Sequence, residues 1–143
     1  MALAEVVMAT AIVAILGGGV VSTINYGLFV MRIARENQRA TQVMVERLES
    51  IRLYNWDQVT SGSFIPTSFT ESYDPSAPTN SQGVRYFGTL SVQAPVFSGA
   101  TPAYVANMRQ FTVTLQWTNA GRVPHLRTLT TYVAKNGIQN YVY

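Results

Sequence analysis

A long apolar run at the start of the chain constrains this protein most. Residues 1–31 read MALAEVVMATAIVAILGGGVVSTINYGLFVM and carry one charged side chain, Glu5. As an α-helix, the stretch from Val6 to Met31 would extend about 39 Å at 1.5 Å per residue. The hydrocarbon core of a bilayer is about 30 Å thick, so the run is long enough to span a membrane.

Glu5 is the residue in this run whose charge needs a partner. A carboxylate near the middle of a bilayer costs on the order of 3 kcal/mol, so such a residue points to function. In a helix the amine of Met1 lies one turn away on the same face, and the helix dipole favours an anion there. Glu5 either neutralises its own N-terminus or pairs with the amine of a neighbouring chain, because a free helix end frays. Intermolecular pairing would make Glu5 an assembly residue.

The first eight residues, MALAEVVM, carry a family resemblance. Together with the apolar run and the amphipathic stretch after it, they resemble the mature N-terminus of type IV pilins and their pseudopilin relatives. The resemblance implies that a prepilin peptidase cuts before Met1 and methylates its amine, that Glu5 directs assembly, and that apolar half-helices bundle in a filament core. The chain departs from the family pattern at Met1, where Phe is commoner, at Ala4, and at Ser22 near the place of a frequent proline.

The basic residues lie on the far side of the apolar run. Nothing basic precedes Glu5, whereas Arg32, Arg35 and Arg39 follow Met31. Taken alone, the positive-inside tendency would leave the rest of the chain in the cytoplasm. That part is poor in charge and rich in Ser, Thr, Tyr and Phe, which suits an exported β domain. We therefore expect that a short basic leader preceded Met1 and was cleaved.

Residues 32–55 continue the helix in amphipathic form. Apolar residues recur at spacings of three and four, which predicts one buried face; they are Ala40, Val43, Met44, Leu48 and Ile51. No proline occurs between Met1 and Tyr54, so one very long helix is expected. The predicted organisation is an apolar half-helix at 1–31, an amphipathic half-helix at 32–55 and a globular β head at 56–143.

Three consecutive glycines, Gly17, Gly18 and Gly19, interrupt the apolar half. Together they cost about 3 kcal/mol of helix propensity, which lipid tolerates because unpaired backbone groups would cost more there. We expect the stretch from about Leu16 to Thr23 to lose helical hydrogen bonds on assembly, as the resemblance to pilins also implies. Close helix packing through small residues is the alternative.

The remainder predicts a loop followed by strands. Residues 60–83 are dominated by Ser, Thr, Pro, Gly and Asn and predict a long surface loop. Candidate strands follow at 84–93, 111–117, 127–134 and 138–143, with turns at Asn119-Ala120-Gly121 and Asn136-Gly137. The expected fold is α+β, with an antiparallel sheet of about four strands covering the amphipathic half-helix.

Residues for other chemistry are sparse. The chain has no cysteine, and its single histidine, His125, is expected to be a surface turn residue. Glu71 and Asp74 are weak candidates for a calcium site, with solvated loop acids the favoured interpretation. The net charge is +3 and the arginines are scattered, so nucleic-acid binding is not indicated. No enzymatic activity and no cofactor are expected.

The pattern predicts a structural protein. We expect a type IV pilus-like subunit that waits in the inner membrane and polymerises with copies of itself into an extracellular filament, assisted by prepilin peptidase and the pilus assembly machinery. One alternative is a type II secretion pseudopilin that forms a short periplasmic pseudopilus. Another is a monomeric single-pass membrane-anchored binding domain, in which Glu5 would be incidental.

Overall fold

The computed structural model describes residues 2–97, 102–135 and 137. Its elements in chain order are α1 (Ala2–Ile51), α2 (Trp56–Thr60), β1 (Ser68–Ser72), β2 (Arg85–Gln93), β3 (Met108–Thr118) and β4 (Pro124–Ala134). Short 3-10 turns lie at Thr79–Ser81 and Ala103–Asn107. A long N-terminal helix with a four-stranded antiparallel sheet confirms the expected α+β fold.

Helix α1 is continuous over 50 residues, as the absence of proline predicts. It ends at Ile51, slightly before the predicted Tyr54. The N–H groups of Arg52, Leu53 and Tyr54 instead donate to carbonyls three residues back, at 3.1–3.2 Å, and so tighten the last turn. The chain divides into two units, residues 1–35 and 36–143, and the second contains the last part of α1 with the whole sheet.

A capping box starts the short helix α2. The Asn55 side chain accepts a hydrogen bond from the Gln58 N–H at 2.9 Å, and the Gln58 side chain accepts one from the Asn55 N–H at 3.0 Å. Two otherwise unpaired donors are thereby satisfied at the helix start. The cap fixes the direction in which the chain leaves α1, and α2 contributes the buried Val59 to the core.

The sheet is a meander in the order β1-β2-β3-β4, with all neighbours antiparallel. The strand predicted at 111–117 lies within β3, and its alternate residues Phe111, Val113, Leu115 and Trp117 are all buried. Asn119 closes the turn between β3 and β4. Its N–H donates to the Val123 carbonyl at 3.0 Å, while its side-chain oxygen accepts from the Val123 N–H at 2.9 Å.

The buried face of the sheet covers the second half of α1. All five predicted helix residues, from Ala40 to Ile51, are buried, and one cluster unites them with residues of the strands. The largest fully buried side chains are Tyr86, Phe111, Ile51, Leu115 and Val113. Each large apolar side chain buried in this way contributes about 1.5–3 kcal/mol, so this contact holds the second unit together.

The strand prediction missed β1 and began β3 and β4 three residues late. The segment predicted as a loop at 60–83 contains β1, which pairs with β2 from Ser68 opposite Thr89 to Ser72 opposite Arg85. Four strands therefore form without the predicted strand at 138–143, which lies outside the described residues. The hydroxyl-rich composition of β1 concealed it, because its one large apolar side chain, Phe69, gives little alternation to detect.

Candidate functional site

The first unit presents an apolar helical surface that nothing in the described residues covers. Every described residue from Ala2 to Gly27 is exposed, including Leu3, Val13, Ile15 and Tyr26. The most apolar 18-residue window of α1 has a mean hydropathy of 2.1, and none of it is buried. By length and composition α1 can cross a membrane. An exposed apolar area of this extent is typical of a surface covered by lipid or by protein.

Glu5 lies in the first turn of α1 and is exposed there. The unpaired N–H groups and the dipole of the helix start both favour a negative charge at this position. The structure thus places one carboxylate at the front of an otherwise uncharged helical surface. Met1, the predicted partner and methylation site, lies outside the described residues.

Helical geometry continues through Gly17, Gly18 and Gly19. A Cβ added at any of the three would meet no atom within 4 Å. Among the described residues of this single chain, therefore, no neighbouring group requires glycine at these positions. The predicted loss of helical hydrogen bonds on assembly concerns another state of the protein and stays a prediction.

The two threonine hydroxyl groups in the apolar half bond within the helix. Thr10 Oγ1 donates to the Val6 carbonyl at 2.9 Å, and Thr23 Oγ1 donates to the Gly19 carbonyl at 2.9 Å. Both side chains therefore satisfy their donors without water. Such bonding is a requirement for polar side chains in a hydrocarbon environment.

Glu36 is a buried acid that the sequence analysis missed. Glu36 is only 3% exposed. Its Oε2 accepts a hydrogen bond from the Ala120 N–H at 3.4 Å. Its backbone carbonyl accepts from the Tyr86 hydroxyl at 2.9 Å. The signal was available, because Glu36 precedes Ala40 by four residues and continues the buried stripe. Its charge led to its omission from that stripe.

The two weak calcium candidates, Glu71 and Asp74, each contact a partner within the chain. The Glu71 carboxylate lies 3.9 Å from the Arg39 guanidinium, and Glu71 belongs to β1 instead of a loop. Asp74 Oδ1 accepts from the Ser76 hydroxyl at 2.6 Å and from its N–H at 3.0 Å. Both hydrogen bonds lower the pKa of Asp74, and the bond from the Ser76 hydroxyl has the larger effect. Among the described residues no group of three or more potential metal ligands occurs.

His125 is a strand residue, so its assignment to a turn was wrong. It lies near the start of β4, and its ring stacks on Trp117 with centroids 5.1 Å apart. Its Nε2 is 2.9 Å from the side-chain nitrogen of Asn119. Pro124, which begins β4, concealed the strand start. This arrangement packs one end of the sheet.

The charged residues near the end of α1, which are Glu46, Arg47, Glu49 and Arg52, make contacts on the helix surface. Glu49 pairs with Arg52 at 3.0 Å. Glu46 instead lies 3.4 Å from Arg39 and accepts from the Gln42 amide at 2.7 Å. The Arg47 guanidinium lies over the Phe69 ring, 4.3 Å from its centroid. These exposed contacts contribute little to stability individually.

Comparison with known proteins identifies no relative. No protein-family model, no curated protein and no solved structure matches the chain. The resemblance to type IV pilins therefore rests on residues 1–8, on the apolar run that follows them and on the amphipathic stretch after that run.

Proposed function

We propose that this protein is the structural subunit of a type IV pilus-like filament, held in the inner membrane before it polymerises. One observation carries the proposal: the first unit is an exposed apolar helix whose single acid is Glu5. The second unit supplies its own core and so does not need this surface for stability. A helix of this kind is free to exchange lipid for neighbouring helices.

The hydrophobic effect alone does not select between membrane and filament. It keeps the apolar residues of α1 out of water in both places, and lipid tails are as apolar as neighbouring side chains. The difference must come from packing and from charge. Glu5 in hydrocarbon costs on the order of 3 kcal/mol, and pairing with the Met1 amine of a neighbouring copy relieves that cost. The acid therefore favours the polymer and sets its register.

The glycine triplet has a role that fits this exchange. Lipid enforces helical hydrogen bonding through Gly17, Gly18 and Gly19 because no water is present to replace it. Between packed protein chains that constraint is relaxed, while the low helix propensity of glycine remains. Residues 16–23 are the segment that then unwinds and lengthens α1 on assembly.

Whether polymers form, and in which compartment, distinguishes the proposed pilus subunit from a pseudopilin and from a monomeric membrane-anchored domain. Surface material is sheared from cells that make the protein and is imaged by electron microscopy, while membranes are extracted in detergent and the protein is sized. Extracellular filaments containing this chain support the proposal. Polymers confined to the periplasm indicate a pseudopilin, and a monomer in every fraction indicates a membrane-anchored binding domain.

A further inference from the structure

The face of the sheet turned away from α1 is almost free of charge. Strand pairing places these side chains there: Ser68, Thr70, Ser72, Arg85, Phe87, Thr89, Ser91, Gln93, Met108, Gln110, Thr112, Thr114, Gln116, Thr118, Pro124, Leu126, Thr128, Thr130, Tyr132 and Ala134. We call this the outer face. Its one charged residue among the described strands, Arg85, lies at the start of β2. The opposite face, although it covers the core, carries Glu71, Arg109 and Arg127.

Hydroxyl groups form two rows across the outer face. The strand register defines them: one row is Ser68, Thr89, Thr114 and Thr128, and the next is Ser91, Thr112 and Thr130. Neighbouring strands are about 4.8 Å apart and residues two positions apart on a strand are about 6.8 Å apart. The hydroxyl oxygens of Thr112 and Thr130 lie 3.3 Å apart, as do those of Thr114 and Thr128. Each pair keeps further donor and acceptor capacity for a ligand.

Exposed aromatic rings flank these two rows, one ring on each side along the strand direction. Phe87 is 54% exposed on one side, where it lines a depression of about 500 Å³ with Gln116 and Leu126. Tyr132 is 49% exposed on the other side, where its ring lies nearly parallel to that of Phe97 with centroids 6.4 Å apart. From the register, the two positions are about 20 Å apart along the strands.

We propose that the outer face binds a neutral polysaccharide chain. Sugar rings present C–H groups on their faces and hydroxyl groups around their edges. The negative faces of aromatic rings attract the C–H groups, and Ser, Thr and Gln side chains both donate to and accept from hydroxyl groups. Phe87 and Tyr132 stack on sugars near the two ends of the face, and the hydroxyl rows bond the chain between them.

The composition of this face favours a sugar over another protein. Interface cores that bind proteins are enriched in aromatic residues, Met and Arg, while Ser and Thr are under-represented among the residues that carry the binding energy. On the outer face Ser and Thr occupy the centre and aromatic rings its ends. The lack of charge also matches an uncharged polymer and gives no attraction to an anionic one.

The test uses the full chain in detergent micelles, so it does not depend on filament formation. Retention is measured on insoluble cellulose, chitin and starch, and on calcium alginate as an anionic polymer. The main variant is the double substitution Phe87→Ala/Tyr132→Ala. Its matched control is Phe64→Ala/Leu53→Ala, which removes two large apolar side chains that are also exposed but lie outside both the sheet and the apolar half of α1.

We expect retention on at least one of the three neutral polymers and a loss of at least about ten-fold in affinity for the main variant, since two stacking contacts are removed. The control should stay within about two-fold of the original affinity. A second variant, Thr112→Val/Thr130→Val, preserves side-chain shape and strand preference and should also weaken binding. The proposal is overturned by no retention on any neutral polymer, by salt-sensitive binding to alginate alone, or by unchanged binding of the Thr→Val variant.

Discussion

The Tyr86 hydroxyl donates a hydrogen bond to the backbone carbonyl of Glu36, at an oxygen-oxygen distance of 2.9 Å. Tyr86 lies in β2 and is fully buried, while Glu36 is the first residue of α1 in the second unit. The bond therefore joins the sheet to α1 at the point where the buried stripe of the helix begins. It also fixes the depth at which the Tyr86 ring enters the core, 5.7 Å from the Trp117 ring between centroids.

Replacing Tyr86 by Phe should destabilise the second unit by about 1–1.5 kcal/mol. The ring is kept, but one buried hydrogen bond is lost. Urea unfolding of the full chain in detergent, followed by tryptophan fluorescence, measures the change because Trp117 is buried in this unit. Tyr104→Phe is the matched control, since Tyr104 is 58% exposed. Equal stability of the two variants would contradict a structural role for the bond.

The same tyrosine predicts a loss of stability at alkaline pH. Burial, and then the negative charge of Glu36, raise the pKa of Tyr86 to about 12, whereas an unperturbed tyrosine has a pKa of about 10. Between these values the unfolded chain has lost a proton that the folded chain keeps, so the free energy of unfolding should fall as pH rises from about 10 to about 12. Tyr86→Phe should show a shallower decline over that range. Parallel declines in both proteins would argue against this account.

Gly88 in β2 should tolerate no side chain. A Cβ at this position would overlap the ring of Phe69 on β1, and the Arg47 guanidinium lies over that ring. Gly88→Ala should therefore cost about 1–3 kcal/mol through overpacking. In a Phe69→Ala background the same substitution should cost less, because the obstructing ring is gone.

The control for this substitution is Gly62→Ala, where an added Cβ meets nothing within 4 Å. We expect it to change the free energy of unfolding by no more than about 0.5 kcal/mol. Fully additive effects of Gly88→Ala and Phe69→Ala would show that ring and glycine are not coupled.

Two adjacent residues of α1 test which face of the helix is buried. Met44 is 3% exposed and belongs to the core, whereas Val45 is 43% exposed. Met44→Ala should destabilise the second unit by about 2–5 kcal/mol, because it leaves a cavity. Val45→Ala should have an effect within about 0.5 kcal/mol. Similar losses for both variants would mean that α1 is rotated relative to the sheet.

The sequence predicted the elements in which local pattern and packing agree. The absence of proline from the first 54 residues predicted α1 as one long helix. The recurrence of apolar residues at spacings of three and four predicted which of its residues are buried, from Ala40 to Ile51. The alternation of apolar and polar residues from Phe111 to Trp117 predicted β3, which lies within the sheet. Glu36, β1 and the strand position of His125 were missed because each depends on partners distant in sequence. Glu36 is buried against Tyr86 and the β3-β4 turn, and β1 exists through its pairing with β2.

Some features of the candidate site could likewise be predicted from the sequence, and others depend on the folded chain. The position of Glu5 within an uncharged helical surface could be predicted from the sequence, because the charge of each residue and the length of the apolar run are read directly from it. The contacts of Glu71 and Asp74 are not, since only the folded chain brings Glu71 to Arg39. The outer face of the sheet is likewise a product of strand register, which aligns side chains from four separate segments.

Glycine-to-alanine substitution in α1 tests the predicted unwinding. The triple variant of Gly17, Gly18 and Gly19 adds about 3 kcal/mol of helix propensity, and no atom of the residues that the structure describes obstructs the new methyl groups. We expect the variant to reach the membrane normally but to assemble less, with any filaments showing helix through residues 16–23 in a cryo-EM map. Unchanged assembly together with an unbroken helix in the original filament would contradict unwinding and favour close packing through small residues.

The central claim is that Glu5 directs polymerisation, and imaging of sheared surface material from cells making Glu5→Ala tests it most directly. Glu49→Ala is the control, because it removes an exposed acid from the same helix and breaks its surface pair with Arg52. The account predicts filaments from the original chain and from Glu49→Ala, and intact mass should show a methylated Met1 in the original chain. It predicts no filaments from Glu5→Ala, although the amount of this variant in the membrane is unchanged. Abundant Glu5→Ala filaments, or no filaments from the original chain, would contradict it.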